Sequence, residues 1–529
     1  MRQPALWLAA LAFVFYLVPA VSVLQLDPDA VQHIDLARRF VAGEGYVLGI
    51  KSFHLGDTQV LHNGLAERAP LYPLLVAAML RAGLGPIALQ VVNALLAAAC
   101  AALVCGIGTS LFGRRTGALA GLLAAASPPV LIFMVPPMTE PLAISLVLLA
   151  TWLLVRGLET PRAAAFATAG AALGLGYLTR PATLSLAGAL LVGVVFASRR
   201  RRALLRPLGG LLLGMAIFVV PITLFSLLTR GSLSYSSQTY LYAVFQPSDV
   251  QRNAFVRPVT SPVQFILANR EFVLAAILGN VRRYAELLFL DPKWLLPLLP
   301  AWPLALLALV RGRYPRAAWP VLILAAANFS VYALTWAAWT RRYQLLTLLL
   351  LLPFAVDGLG RLGLARLRLP AWPKLTALHV AVVAVTLIWF PAFVQEYRGT
   401  FRYGDAPVET RSYHGVKWTG AISWVTDKDL TQMLDWVSAN TQPNDVLAHA
   451  QPDIFTFFTG RLSTRLPRAL DAEGLETFVV NYRVSYVLLN NYDGYRRRYQ
   501  DDLEALAGRG VRVTAIGDYR VFDTRGLWR

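Results

Sequence analysis

The chain has 529 residues, of which 56% are hydrophobic and 15% charged. This composition excludes an ordinary soluble protein, in which about a quarter of the residues are charged. The net charge of +19 does not indicate nucleic-acid binding, because the arginines cluster in short loops between apolar runs. Long apolar runs recur as far as about Val394, so we predict a polytopic membrane protein. Cys100 and Cys105 share one apolar run, which disfavours a disulfide framework or a cysteine metal site.

Eleven apolar runs are long enough to predict membrane-spanning helices. The first, at residues 5–24, looks like a signal peptide, but its length and the spans that follow favour an uncleaved first helix. A shorter apolar segment, residues 71–84, predicts a helix at the interface or packed on the bundle. The other ten spans are predicted at residues 86–112, 117–135, 139–156, 163–179, 181–198, 207–229, 293–310, 317–338, 344–361 and 374–394.

Basic residues predict which loops face the cytoplasm. With the N-terminus inside, eleven spans place nearly all the positive charge of the short loops on the cytoplasmic side. The opposite face then receives a first outer loop at residues 25–73, a second at residues 230–292, three short turns and everything after Glu396. The two short spans on either side of Arg180 are the least secure, and removing that hairpin would leave the remaining topology unchanged.

The composition changes after residue 395. A helical pattern begins at Asp429, and short strands are predicted at residues 445–449, 485–489, 511–516 and 519–523. We therefore predict a transmembrane domain at residues 1–395 and an extracytoplasmic α/β domain at residues 396–529. His449 and Asp453 are candidate ligands, although a histidine at a strand end and a helix cap are the commoner roles, and we prefer them.

Charged residues recur where the predicted outer loops meet the spans. Such ionisable groups are costly at membrane depth and are often functional. Four outer arginines run against the topological bias, and together they favour an anionic ligand such as phosphate over contact with lipid headgroups. The charged residues are Asp29, Glu67, Arg68, Glu140, Arg180, Lys293, Arg341 and Arg342.

A carboxylate beside basic residues at the outer surface suits transfer of a sugar from a lipid phosphate. The carboxylate would take the proton of an acceptor hydroxyl as its oxygen attacks the anomeric carbon, and arginines would stabilise the departing phosphate. Asp29 and Asp27 are the candidate bases, although capping of a helix that starts near Ala30 explains either about equally well. The Asp27–Asp29 segment also looks like a DxD metal motif, but nucleotide sugars are cytoplasmic and this loop is predicted outside.

Several short motifs follow one another in a characteristic order. Their order, spacing and predicted side resemble the GT-C superfamily of integral-membrane glycosyltransferases, in the branch of protein O-mannosyltransferases and lipid A aminoarabinose transferases, over nearly the whole chain. The C-terminal stretch at residues 436–461 also resembles outer domains of bacterial members. The motifs are Asp29 with LARRFVAGEGY (36–46), ERAPLYP (67–73), PPMTEP (136–141), GYLTRP (176–181) and TRRYQLL (340–346).

This resemblance implies a fold, a location and residue roles. The expected fold is an all-α polytopic bundle of about eleven transmembrane helices, with a C-terminal α/β domain, in a bacterial cytoplasmic membrane. Asp29 would be the catalytic base, with Asp27 as its rival, and Arg68 would meet the donor phosphate. Further donor-site residues would be Arg341, Arg342 and Tyr343, and the pocket would include Glu67, Glu140 and Arg180.

The sequence departs from the family pattern just after the candidate base. Gln32 and His33 stand where many relatives have an acidic residue and then a tyrosine. This departure weakens the case for a second acidic group or a metal in the loop, so no metal ligand is assigned and dependence on a divalent metal is left open.

The predicted function is transfer of a sugar from a polyprenyl-phosphate donor to a glycan, lipid or protein acceptor at the bilayer surface. Transport or flipping of lipid-linked sugars is the alternative. It predicts charges in mid-span and symmetry between halves, and we find neither. A non-catalytic scaffold whose outer domain binds partners ranks third.

Overall fold

The computed structural model describes most of the chain as helices that bundle together, followed by a mixed α/β segment. The central part of the predicted second outer loop and Thr340 lie outside the described residues. The described residues are 2–51, 59–198, 204–231, 233, 266–335, 341–364, 367–369, 372–397, 402–403, 406–407, 411–420, 427–467, 470–490 and 495–528.

Fifteen helices precede residue 400 within these ranges. They are α1 (Arg2–Ser22), α2 (Pro28–Val41), α3 (Leu71–Arg81), α4 (Pro86–Phe112), α5 (Arg114–Ala126), α6 (Pro128–Met134), α7 (Glu140–Glu159), α8 (Ala163–Thr179), α9 (Thr183–Ala197), α10 (Leu205–Arg230), α11 (Arg270–Leu290), α12 (Trp302–Val310), α13 (Ala318–Thr335), α14 (Leu345–Leu359) and α15 (Ala377–Tyr397). Short 3-10 helices at Leu296–Ala301 and Arg341–Gln344 lead into α12 and α14.

Each of the eleven predicted spans overlaps one of these helices or a pair of them, and the span predicted at residues 293–310 also includes the 3-10 helix Leu296–Ala301. Of the described helices, five are long and apolar enough to cross a membrane, which makes the chain an integral membrane protein. The pair α5 and α6, bent by 56°, would bring the number to six if it crosses as one span. The apolar stretches of the other described helices have 10–17 residues, so the count of eleven spans stays a prediction.

Small residues let the bundle helices approach closely. A Cβ at Gly170 of α8 would lie 2.1 Å from the carbonyl oxygen of Leu211 in α10, and one at Gly214 would lie 2.0 Å from that of Ala167. In lipid, where apolar surface gains little by leaving the solvent, such close packing is a main source of helix association.

Within the described residues, the mixed α/β segment contains four helices and seven strands. Strands lie within all four predicted segments, and an additional strand, β12, follows the first of them. The helices are α16 (Asp427–Asn440), α17 (Asp453–Thr459), α18 (Ala472–Asn481) and α19 (Tyr495–Ala505). The strands are β9 (Arg411–Tyr413), β10 (Val416–Gly420), β11 (Val446–His449), β12 (Leu462–Arg465), β13 (Tyr486–Leu489), β14 (Arg512–Ile516) and β15 (Tyr519–Asp523).

The predicted first outer loop, residues 25–73, is built into the sheets of this segment. The loop strands are β1 (Leu24–Leu26), β2 (Val47–Leu48), β3 (Ile50–Lys51) and β4 (His62–Asn63). Strand β1 pairs in parallel with β10, and β3 forms the edge of a six-stranded sheet of order β14-β15-β13-β11-β12-β3. Two further hairpins pair β5 (Arg368–Leu369) with β6 (Trp372–Thr376) and β7 (Arg402–Tyr403) with β8 (Ala406–Pro407).

Two predictions about the loops can be compared with the structure. Helix α3 occupies most of the short apolar segment predicted at residues 71–84. The predicted second outer loop contains a 21-residue helix, α11, which the sequence analysis did not predict. Because strand pairing crosses residue 395, the division into two domains at that point stays a prediction.

Candidate active site

The start of α2 separates the roles of the two candidate aspartates. Asp27 is the N-cap, and its Oδ1 accepts a hydrogen bond from the backbone N–H of Asp29 at 2.9 Å. Pro28 follows at the first helical position, where its fixed φ suits a helix start. The capping role therefore belongs to Asp27, whereas the side chain of Asp29, in the first turn, makes other contacts.

Two arginines from distant parts of the chain meet at Asp29. Arg68 Nη2 donates to Asp29 Oδ1 at 2.6 Å, and Arg342 Nη2 donates to Asp29 Oδ2. Arg68 ends the first outer loop, and Arg342 lies in the 3-10 turn before α14. The Arg68 and Arg342 side chains are only 16% and 15% exposed and that of Asp29 26%, so water screens these charges weakly.

The pKa values of the two aspartates move in opposite directions. Burial alone would raise the pKa of Asp29, but the guanidinium groups of Arg68 and Arg342 outweigh it and hold that pKa well below its usual range. Burial and the nearby charge of Asp29 raise the pKa of Asp27 to about 6. Burial and the charge of Arg68 lower the pKa of His33 to about 3, so this imidazole is neutral at physiological pH. Asp27 is thus the more basic of the two carboxylates in this state.

A second set of charges continues the site toward the bundle. Glu140, the first residue of α7, has a side chain that is 3% exposed, and its Oε1 lies 2.7 Å from Arg180 Nη1 and 3.2 Å from Arg342 Nε. Arg342 Nη1 also lies 3.9 Å from Asp27 Oδ1. Arg342 therefore stands among three carboxylates, and the formal charges of three carboxylates and three guanidinium groups cancel.

An open cleft adjoins these charges. It has a volume of about 370 Å³, including the solvent at its mouth, and it has both apolar and cationic walls. At its edge Tyr343 stacks on Tyr332 with ring centroids 4.5 Å apart, and the Arg180 guanidinium carbon lies 5.0 Å from the Tyr343 ring centroid. The lining residues are Glu140, Ala143, Ile144, Val147, Arg180, Ala182, Thr183, Leu186, Asn328, Tyr332, Arg342, Tyr343 and Leu346.

The predicted site residues mostly converge on this place. Seven of them form one connected cluster or line the cleft beside it: Asp27, Asp29, Arg68, Glu140, Arg180, Arg342 and Tyr343. Arg341 is exposed and does not line the cleft. Glu67 is buried and its Oε1 lies 2.9 Å from His62 Nε2. The chemical role of each residue stays a prediction.

The carboxylates of this cluster do not favour binding of a divalent metal. Asp27, Asp29 and Glu140 each face a guanidinium group, which supplies the positive charge that a metal would bring. Over the part of the chain that the structure describes, there is no group of three or more His, Cys, Asp or Glu side chains arranged to hold a metal ion.

Gln32 and Asn328 contact this cluster from outside it, although the motifs gave neither of them a role in the site. Gln32 Oε1 accepts from Arg68 Nε at 2.8 Å and from Nη2 at 2.5 Å, and Gln32 Nε2 donates to Asp453 Oδ1 at 3.4 Å. Asn328 donates to the carbonyl oxygen of Tyr343 at 3.0 Å and so holds the turn that carries Arg342. Partners 421 residues apart, as Gln32 and Asp453 are, leave no local pattern that could reveal them.

Comparisons with known proteins show related families and folds. Residues 67–225 match the model of the dolichyl-phosphate-mannose-protein mannosyltransferase family. Among solved structures, ArnT from Cupriavidus metallidurans, bound to undecaprenyl phosphate, is 15% identical with a TM-score of 0.59, over 98% of this chain and 97% of that one. The oligosaccharyltransferase AglB from Archaeoglobus fulgidus, in complex with an inhibitory peptide and a dolichol-phosphate, is 12% identical with a TM-score of 0.55, over 99% and 74% of the chains.

A third solved structure has the same fold within a longer chain. The arabinofuranosyltransferase AftD from Mycobacteria is 14% identical with a TM-score of 0.57, over 99% of this chain and 40% of that one. No curated protein gave a match. The family match and the shared fold confirm the resemblance to the GT-C superfamily that the motif order predicted.

Proposed function

We infer that this chain, with its GT-C fold of the O-mannosyltransferase and aminoarabinose transferase branch, moves a sugar from a polyprenyl phosphate to an acceptor hydroxyl, with Asp29 as general base. One observation carries the proposal. Asp29 is held by Arg68 and by Arg342, and Arg342 also lines a cleft that has an apolar wall. A carboxylate, a phosphate-binding arginine and a lipid-compatible surface are thus contiguous.

The cleft suits a phosphate that carries a hydrocarbon chain. Arg180 and Arg342 offer fixed guanidinium donors, which are well matched to phosphate oxygens. The facing wall is apolar and would accept the first isoprene units. The neighbouring folds that were solved with undecaprenyl phosphate and with dolichol-phosphate support this assignment. The apolar wall consists of Ala143, Ile144, Val147, Leu186 and Leu346.

The reaction needs a single displacement. The acceptor oxygen forms a bond to the anomeric carbon while the bond from that carbon to the phosphate oxygen breaks. The proton of the acceptor hydroxyl goes to Asp29, and the polyprenyl phosphate leaves with the bonding electrons and with its added charge facing the arginines. Since no covalent intermediate forms, the configuration at the anomeric carbon inverts.

Donor binding would also strengthen the base. In this state Arg68 and Arg342 hold the pKa of Asp29 well below its usual range. A phosphate that takes up the donors of Arg342 removes part of that effect, and the pKa of Asp29 then rises toward the range in which a carboxylate accepts a proton readily. Asp27 is already more basic, but its Oδ1 is committed to the helix cap, which is why we favour Asp29.

The location follows from the same proposal. The N-terminus would be cytoplasmic, and the site with residues 396–529 would lie on the outer face of a bacterial cytoplasmic membrane. The acceptor would be a glycan, lipid or protein hydroxyl that reaches the site from the aqueous side. The turns that carry Asp29, Arg68, Glu140, Arg180 and Arg342 meet at one end of the bundle, as a shared outer face requires.

The decisive experiment measures bond formation directly. Purified protein in detergent is offered a panel of polyprenyl-phosphate sugars with candidate acceptors, and release of polyprenyl phosphate is measured. We expect release coupled to a glycosylated product. Movement of a lipid-linked sugar across vesicles without bond formation would overturn the proposal in favour of transport.

A binding measurement tests the cleft separately. Arg342→Met should weaken polyprenyl-phosphate binding about ten- to a hundredfold, the value of a hydrogen bond to a charged group. Arg341 is the adjacent, exposed cation, and Arg341→Met should bind polyprenyl phosphate like wild type. The affinity of Arg342→Lys should lie between those of wild type and Arg342→Met. Equal binding by Arg342→Met and Arg341→Met would remove the cleft as the donor site.

A further inference from the structure

We propose that Asp453, from the C-terminal α/β segment, is a positioning residue of this site and acts through Gln32 to fix the guanidinium group of Arg68. The inference rests on the proposed function, and it adds Arg68, which shares Asp29 with the cleft-lining Arg342, to the residues that bind the donor phosphate. It goes beyond that function by making a residue 424 positions away from Asp29 part of donor recognition.

Asp453 reaches the site through an unbroken chain of hydrogen bonds. Asp453 Oδ1 accepts from Gln32 Nε2 at 3.4 Å, and Gln32 Oε1 accepts from Arg68 Nε at 2.8 Å and Nη2 at 2.5 Å. Arg68 Nη2 then donates to Asp29 Oδ1 at 2.6 Å. These contacts use Nε and Nη2 of Arg68, so its Nη1 is the atom that can turn to a phosphate oxygen.

The hydrogen-bonding chemistry of Asp453 and Arg68 fixes the orientation of the Gln32 amide between them. An ionised carboxylate only accepts hydrogen bonds, and a guanidinium group only donates them. Gln32 satisfies both only when its NH2 faces Asp453 and its oxygen faces Arg68. Without Asp453 the amide can rotate, and a rotated amide would point its NH2 at the guanidinium group and push Arg68 out of place.

Burial makes the loss of either hydrogen-bond partner costly. Gln32 is 5% and Asp453 3% exposed, so water cannot readily replace either partner, and an unsatisfied buried polar group is costly. Asp453 Oδ2 lies 3.9 Å from Arg465 Nη2, which places a cation beside the carboxylate. Burial raises the pKa of Asp453, and the charge of Arg465 and the hydrogen bond from Gln32 act in the opposite direction and favour the ionised, acceptor-only form.

The two helices that carry this chain are also joined by a separate contact. Arg38 of α2 donates through Nη1 to the carbonyl oxygen of Phe457 in α17 at 2.6 Å, and its guanidinium carbon lies 4.6 Å from the Phe457 ring centroid. Arg38 thus anchors α2 to α17 without touching Gln32. It provides a matched control, because its removal loosens the same interface and leaves the Asp453–Gln32 contact in place.

The test is a double-mutant cycle on the full-length protein. The variants are Asp453→Leu, Gln32→Leu, their combination, Asp453→Asn and Arg38→Met. The readouts are kcat, KM for the donor, KM for the acceptor and binding of polyprenyl phosphate alone, with the melting temperature of each variant measured alongside.

We expect a specific loss in donor recognition. Asp453→Leu should raise the donor KM and weaken polyprenyl-phosphate binding about tenfold, the loss expected when a hydrogen bond in a charged network is removed. The acceptor KM should change little. The double variant should lose no more than Gln32→Leu alone, because both changes remove the same restraint. Asp453→Asn, whose side-chain oxygen can still accept from Gln32, should recover most of the binding.

Two results would overturn the inference. An effect of Asp453→Leu that simply adds to that of Gln32→Leu would show that the residues act independently. An equal loss in Arg38→Met, at an equal fall in melting temperature, would show that the interface matters only as structural support. Failure of the proposed function looks different, because wild type itself would then transfer no sugar from any donor.

Discussion

Replacing Asp29 by Asn tests the proposed base with the least change in shape. The substitution keeps the side-chain volume and one oxygen for Arg68 or Arg342, and it removes the charge and the ability to take a proton. Because the charge of Asp29 competes with the donor phosphate for the same guanidinium groups, the variant should bind the donor as well as wild type or better. The loss should therefore appear in kcat and not in the donor KM.

The expected fall in kcat follows from the role of Asp29 as a general base. General-base catalysis contributes about 10²–10⁴-fold to a rate, so kcat should fall by that factor. A loss of the two arginine contacts alone, each worth about 1.5–3 kcal/mol, would instead disturb binding and stability. A large fall in kcat at constant donor KM and constant melting temperature is thus the pattern of a base.

Asp27→Asn is the matched control for this experiment. Asn caps helices about as well as Asp, so the hydrogen bond to the N–H of Asp29 survives and kcat should change only a few-fold. Both variants would be assayed for release of polyprenyl phosphate over a range of donor concentrations. Full activity in a folded Asp29→Asn variant would refute the reasoning, and loss confined to Asp27→Asn would move the base by two residues.

Three further predictions address pH, turn geometry and packing. With Asp29 as base, kcat/KM for the donor should stay level as pH falls from about 8 to about 5, because the pKa of Asp29 in the free enzyme is low and the carboxylate stays ionised. A decline of kcat/KM below pH 6 that disappears in Asp27→Asn would instead indicate that Asp27, whose pKa is about 6, is the base. Asn328→Leu should raise the donor KM and lower the melting temperature, since it removes the hydrogen bond from Asn328 to the Tyr343 carbonyl, which is worth about 0.5–1.5 kcal/mol. An unchanged KM would show that Asn328 does not hold Arg342. Gly170→Leu should lower the melting temperature in detergent, since α8 and α10 would have to separate, whereas Gly188→Leu, where an added Cβ meets nothing within 4 Å, should not.

The sequence predicted the elements of this protein well, because local hydropathy is a direct physical requirement in lipid. A span must satisfy its backbone hydrogen bonds internally, so an apolar run of sufficient length becomes a helix whatever surrounds it. All eleven predicted spans coincide with helices for this reason. The sequence did not determine how many of these helices cross the membrane. Apolar stretches of 10–17 residues depend on the neighbouring helices for their placement.

The motifs also predicted which residues would meet, although not how. Charges at the ends of spans that are predicted to face the same side gather at one surface. Five such residues were therefore expected together and lie together: Asp29, Arg68, Glu140, Arg180 and Arg342. The sequence could not tell the cap from the neighbouring carboxylate, because Asp27 and Asp29 are both favourable at a helix start. It also treated Arg341 and Arg342 alike, and only the orientation of one 3-10 turn distinguishes them.

By itself, the sequence determined the apolar helices, the order of the motifs and the set of charges at one face, because each depends on residues close together in the chain. Tertiary structure decided everything that depends on distant partners. It placed β3 at the edge of the C-terminal sheet, gave Asp29 its two arginines, and joined Gln32 to Asp453 across 421 residues. Hydrogen bonds of this kind are set by the meeting of two surfaces, and no pattern within either segment encodes them.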